Sequence, residues 1–147
     1  MQQYYDQYHT TQVSTTDRVK IVLMLYERAI ALTKKTGEQI LAKNFVGKAE
    51  SISKLLAIIS GLMDALDFDQ GKEIAVNFQK LYQFMFDQLL VLNRRANPQK
   101  ADLKPLAVVL QILIDMKEGW EHVVKEHHAP PDQTTLAKQH LFHVVVR

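Results

Sequence analysis

The chain contains no cysteine, which excludes a disulfide scaffold and a thiolate nucleophile and fits a reducing compartment. Proline and glycine are scarce, four and five in 147 residues, so few positions force the backbone out of a helix. Charge of one sign is lacking too: 18 basic residues face 16 acidic ones, for a net charge of +2. Such a balance gives little long-range attraction to nucleic acid or to anionic lipid, and neither is expected as a partner. Lys34-Lys35 and Arg94-Arg95 are isolated doublets, read as solvated faces. No apolar run approaches the ~20 residues needed to span a bilayer. The opening Met1-Gln2-Gln3-Tyr4-Tyr5-Asp6 has neither the basic start nor the apolar stretch of a secretory signal. The expectation is a cytoplasmic protein with no direct membrane insertion.

What the chain does have is apolar surface in excess of one helix face. Ile21-Val22-Leu23-Met24-Leu25-Tyr26 is six apolar residues in a row, and Leu106 to Ile114 is apolar except at Gln111. A helix on the outside of a small bundle needs a single apolar stripe at i, i+3, i+4 and i+7. Here the core takes one stripe and a second is left over, and leftover apolar stripes mark places where something docks.

The spacing predicts four long helices. The first runs from Thr16 to Ala42, with Ile21, Leu25, Ala29, Leu32 and Val22, Tyr26, Ile30 as adjacent stripes and Gly37 as a weak point inside it. The second runs from Phe45 to Leu66 on the stripe Phe45, Ala49, Ile52, Leu56, Ile59, Met63, Leu66. Asp67 to Gly71 reads as a break capped by Asp69. The third runs from Gln70 to Arg95, with Ile74, Phe78, Leu81, Met85, Leu89, Leu92 on one face and Ala75, Tyr82, Phe86, Leu90 beside it. Asn97-Pro98 ends it. The fourth runs from Pro105 to Lys125, stopped by Pro130-Pro131. Residues 1–14 read as an extended arm, 15–128 as the helical domain and 129–147 as a tail or short helix. The expected fold is all-α, an antiparallel up-and-down four-helix bundle.

No catalytic or metal-binding constellation stands out. Asp67-x-Asp69-x-Gly71 lacks the glycine at six and the glutamate at twelve of a calcium loop, since Lys72 and Phe78 hold those positions. No Glu-x-x-His pair of the di-iron kind occurs. His127-His128, His140 and His143 cluster without a recurring ligand spacing. Gly47-Lys48 lacks the rest of a phosphate loop. One signalling alternative remains, a phosphotransfer bundle with His122 as the phosphorylated residue and Lys125 as its support, and so does a purely structural adaptor. No metal, no cofactor and no enzymatic activity are expected.

Several segments carry a resemblance. Val13-Ser14-Thr15-Thr16-Asp17 followed by Ile21 to Glu27, with Tyr8 five residues before Val13, resembles the opening of the flagellar secretion chaperone FliS family. Leu66-Asp67, Gly71 to Ala75, Asn77 and Leu81 to Met85 resemble its second signature, and Trp120 its third. The resemblance covers Tyr8 to Val123. Arg18 stands where the family often has proline, Lys72 stands where it has a second glycine, the segment from Arg94 to Lys104 is longer than usual, and the tail after Ala129 lies outside the pattern.

The resemblance implies a helical bundle without chemistry. Such a protein binds the disordered C-terminal segment of flagellin in the cytoplasm, prevents premature polymerisation and delivers it to the type III export gate, where the membrane protein FlhA receives the complex. An amphipathic segment that orders on binding lays its apolar face into a groove. The candidate groove walls are Ile21, Met24 and Leu25 on the first helix, Tyr82, Phe86 and Leu90 on the third, and Val108 and Ile112 on the fourth. Tyr4, Tyr5, Tyr8 and Val13 are the candidates for covering an empty groove or for docking at the export gate.

Overall fold

The computed structural model describes residues 15–127. The chain forms four long helices in this span: α1 (Thr15–Leu41), α2 (Phe45–Asp64), α3 (Phe68–Arg94) and α4 (Leu103–His127), with a 3-10 turn at Lys100–Asp102 before the last. Short connections make successive helices antiparallel. α1 packs on α2 and on α4, α2 packs on α3, and the contact of α3 with α4 is the thinnest of the four seams. The expected bundle is present, and the helix limits fall within one or two residues of the reading from spacing.

The junction of α1 and α2 is a tight, fully bonded turn. The Asn44 amide reaches the Gln39 carbonyl at 2.8 Å and the Lys43 amide reaches the Ile40 carbonyl at 3.1 Å. That pair of bonds is the Schellman ending, which places its C′ residue in the left-handed region. Lys43 fills that position with φ 57. Asn44 then caps α2, its side chain accepting from the Gly47 amide at 3.1 Å. A Cβ on Gly47 would meet the Gln39 Nε2 at 2.6 Å and the Asn44 Nδ2 at 2.7 Å, so glycine lets the two helix ends close on each other.

The cap of α3 is Asp67, not Asp69: Asp67 has an extended backbone and accepts from the Gln70 amide at 3.1 Å. The helix therefore begins at Phe68, ahead of the expected start. Inside its second turn Lys72 adopts φ 47 and ψ −121, the conformation of the first central residue of a type II′ turn, which glycine favours. A lysine there holds strain. α4 also starts early, because the Gln99 amide donates to the Asp102 carboxylate at 2.7 Å and winds the chain before Pro105.

The core gathers one strip from each helix: Val22, Tyr26, Ala29 and Ile40 from α1, Ile52, Leu55 and Ile59 from α2, Tyr82, Met85 and Leu89 from α3, and Leu106, Val109, Leu113 and Trp120 from α4. Buried polar groups are satisfied within it. Thr33 and Thr36 donate to carbonyls one turn back. Lys48 of α2 is buried and its ammonium donates to the Leu92 carbonyl at 3.2 Å and the Arg95 carbonyl at 2.6 Å, capping α3 from outside. Burial lowers its pKa, while Asp102 acts in the opposite direction. Asp102 also pairs with Arg95 at 3.1 Å, closing the α3–α4 connection.

Candidate binding surface

Each apolar run divides between inside and outside at helical spacing. In α1, Val22 and Tyr26 enter the core while Ile21 is 50% exposed and Met24 66% exposed; Leu25 is half-buried against the core. In α4, Leu106, Val109 and Leu113 are buried, Val108 is 47% exposed and Ile112 is half-buried. In α3 the core strip straddles the two expected stripes, which leaves a flank on each side. Ile74 and Leu81 form one exposed flank, and Phe86 and Leu90 form the other, half-buried one.

Tyr82 is a correction. It was expected on a groove wall, yet it is 2% exposed, and its hydroxyl lies 2.5 Å from that of Tyr26 in the bundle centre. The Tyr26 hydroxyl also approaches the Met116 sulfur at 3.8 Å, and Phe78 makes edge-on contacts with Tyr82 and Trp120. The aromatic bodies bury large area and each polar tip finds a partner, so the cluster belongs to the core. Burial pushes the Tyr26 pKa up to about 12 and that of Tyr82 well above 10, the neighbouring tyrosine adding to the rise for Tyr82.

The flanks fix which surfaces the remaining candidates occupy. On α1, Ile21 stands eighteen positions, five helical turns, from Gln39, whose side chain accepts from Ser51 of α2. Ile21 is therefore on the side of α1 turned to α2. On α4, Leu103 and Leu110 meet α1 in a cleft and Lys117 reaches Glu27 of α1 at 3.8 Å. Val108 is half a turn round from Lys117, so it and Ile112 lie on the flank away from α1, toward α3. The same hand of the bundle turns Ile74 and Leu81 of α3 toward α4, and Phe86 and Leu90 toward α2. The candidates therefore line no single groove. They mark three faces: the exposed flank of α1 on its α2 side, the α2–α3 flank and the α3–α4 seam.

The α3–α4 seam is the place where apolar side chains stand half-open on both lips. From the level of Ile74 to that of Val108 it runs about 24 Å along the helix axes, counted at 1.5 Å per residue. A separate cleft of about 240 Å³ lies between the C-terminal half of α1 and the start of α4, lined by Thr33, Gly37, Leu41, Leu103, Leu106 and Leu110 among others. A Cβ on Gly37 would sit 3.5 Å from Leu106, an ordinary contact, so the glycine widens the cleft without being required by it. Reading by stripes missed Ile74, Leu81, Leu41 and Val46 as exposed residues. Their signal was position at a stripe edge or helix end, where neighbours cover one side only.

His122 and Lys125 are exposed on the last turns of α4. No group of three His, Asp or Glu side chains able to hold a metal occurs among the described residues. His128, His140 and His143, and the arm residues Tyr4, Tyr5, Tyr8 and Val13, lie outside the described residues. Among the described residues no helix is long and apolar enough to cross a membrane.

The family model described as flagellar protein FliS matches residues 1–127. The chain is 31% identical to the flagellar secretion chaperone FliS of Vibrio cholerae over 80% of its own length and 83% of that protein. It is 27% identical to the flagellar secretion chaperone FliSB of Pseudomonas aeruginosa, over 84% and 94% of the two chains. With the flagellar secretion chaperone FliS of Salmonella typhimurium it shares 35% identity over 53% and 55%.

Proposed function

The chain belongs to the FliS family, that of the flagellar secretion chaperones, and on that premise we propose that its client is the C-terminal segment of flagellin, held in the cytoplasm against premature polymerisation. One observation carries the reading: a bundle whose core is already complete keeps large apolar side chains open on three separate faces. A disordered segment can wrap several faces at once, ordering piece by piece as each apolar turn finds its flank. A rigid globular partner would need the patches to be contiguous. The half-open α3–α4 seam, with Ile74 and Leu81 on one lip and Val108 and Ile112 on the other, is the principal station. Ile21, Met24 and Leu25 on α1, and Phe86 and Leu90 on α3, are secondary ones. Met24 gives the α1 station a side chain that repacks readily. No chemistry is required of the protein.

The complex would be delivered to the export gate and received there by FlhA, with Tyr4, Tyr5, Tyr8 and Val13 of the arm as docking candidates. Calorimetric titration with a flagellin C-terminal peptide tests the reading. A one-to-one complex of mild salt sensitivity is expected. Val108→Asp should weaken it by about ten-fold or more while leaving thermal stability within about 0.5 kcal/mol of wild type, because the side chain is half in water. Absence of binding by the wild-type chain would end the proposal.

A further inference from the structure

We propose that residues 134–146 of this chain seat in its own α3–α4 seam and compete there with the client; the competition rests on the seam being a client station, the seating does not. Three observations meet. The seam is the thinnest contact of the bundle, and its lips carry half-open apolar residues, Ile74, Leu81, Val108 and Ile112. The family model matches residues 1–127, so the twenty residues that follow α4 lie outside the match. Those residues have an apolar stripe of their own: Ala137, Leu141, Val144 and Val145 stand at i, i+4, i+7 and i+8.

Position and length select this occupant over a second copy. α4 ends at the mouth of the seam, because Trp120 of α4 meets Phe78 of α3 edge-on and His127 lies two turns further on, level with the turn of α3 before Ile74. Pro130-Pro131 offers no amide donor with which a helix could continue through it. Six residues, 128–133, reach as far as about 20 Å, more than the reversal needs. A helix over 134–146 is about 20 Å long against a seam of about 24 Å. Being tethered, it holds the seam at a high effective concentration that no free copy of the chain matches.

The test uses the full chain with Leu141→Asp and Val144→Asp together. The core of α1 to α4 is made by residues between Val19 and Trp120, so thermal stability of the bundle serves as the folding control. In wild type, amides of the seam strips around Ile74–Leu81 and Val108–Ile112 should exchange slowly. In the double variant they should exchange on the order of ten-fold faster. The flagellin C-terminal peptide should bind the variant about three- to ten-fold more tightly, since the seam no longer has to be vacated. A photo-crosslinker at position 141 should join to α3 or α4 of the same molecule at micromolar concentration. Unchanged exchange in the double variant, or crosslinks that form only dimers, would overturn the proposal. If the wild-type chain bound no flagellin peptide, the client reading would fail while exchange and crosslinking still decided the seating.

Discussion

The α1–α2 seam and the α3–α4 seam join helices of similar apolar content, yet one is sealed and the other half-open. Between α1 and α2 the chain spends three residues, 42–44, and every one takes part in a turn bond or a cap. Across the seam Gln39 meets Ser51, and on the far side of α2 Lys48 is anchored to the end of α3. Between α3 and α4 the connection runs from Arg95 to Asp102, held by its own ion pair and turn. A short bonded turn presses two helices together from their first residues, whereas a longer self-contained one lets them stand apart. The difference separates a sealed seam from the one proposed to receive the client.

The largest expected effect contrasts the two directly. Ile52→Ala, in the sealed half, removes a fully buried side chain and should cost about 2–5 kcal/mol in denaturant unfolding. Leu81→Ala, on the open seam, should cost under about 1 kcal/mol because more than a third of the side chain is already in water. Equal costs would mean the α3–α4 seam is closed in solution.

Lys48→Met comes next. It removes the ammonium donor of the Arg95 carbonyl and leaves the Leu92 carbonyl with the Arg95 amide alone, and about 1.5–3 kcal/mol should be lost, with faster amide exchange at the end of α3. The titration of the tyrosine pair gives a third effect. Tyr26 and Tyr82 hold their protons more tightly folded than unfolded. The stability they contribute is therefore complete below pH 10 and is lost as the pH climbs through about 12. Absorbance at the phenolate band should show two of the five tyrosines ionising late, and both should return to the ordinary range in denaturant. Lys72→Gly is the smallest change: relief of the positive-φ strain should raise stability by about 1 kcal/mol.

Much of the bundle was legible in the sequence, because a period of three and four fixes both helix number and core strip. Val22, Ala29, Ile52, Leu89 and Leu113 fell where spacing put them. The cap at Asp67 was missed because two aspartates stood within hydrogen-bond reach of the same helix start, and only backbone conformation selects between them. The surface was harder to read. Tyr82 sat on a second stripe and looked available, but the core strip of α3 runs between its two stripes and took it in, pairing its hydroxyl with Tyr26. Ile74 and Leu81, on the stripe assigned to the core, were left at the margin. Spacing tells which residues share a face and is silent on how closely a neighbouring helix approaches, and that distance decides which apolar residue stays open.

The central claim is that the half-open seam receives the client. The most direct measurement is an amide chemical-shift map of the full chain titrated with a flagellin C-terminal peptide. The account predicts the largest changes at Ile74, Leu81, Val108 and Ile112, with smaller ones at Ile21 and Met24. Changes confined to the α1–α2 turn and its sealed seam, with the α3–α4 lips unmoved, would contradict it.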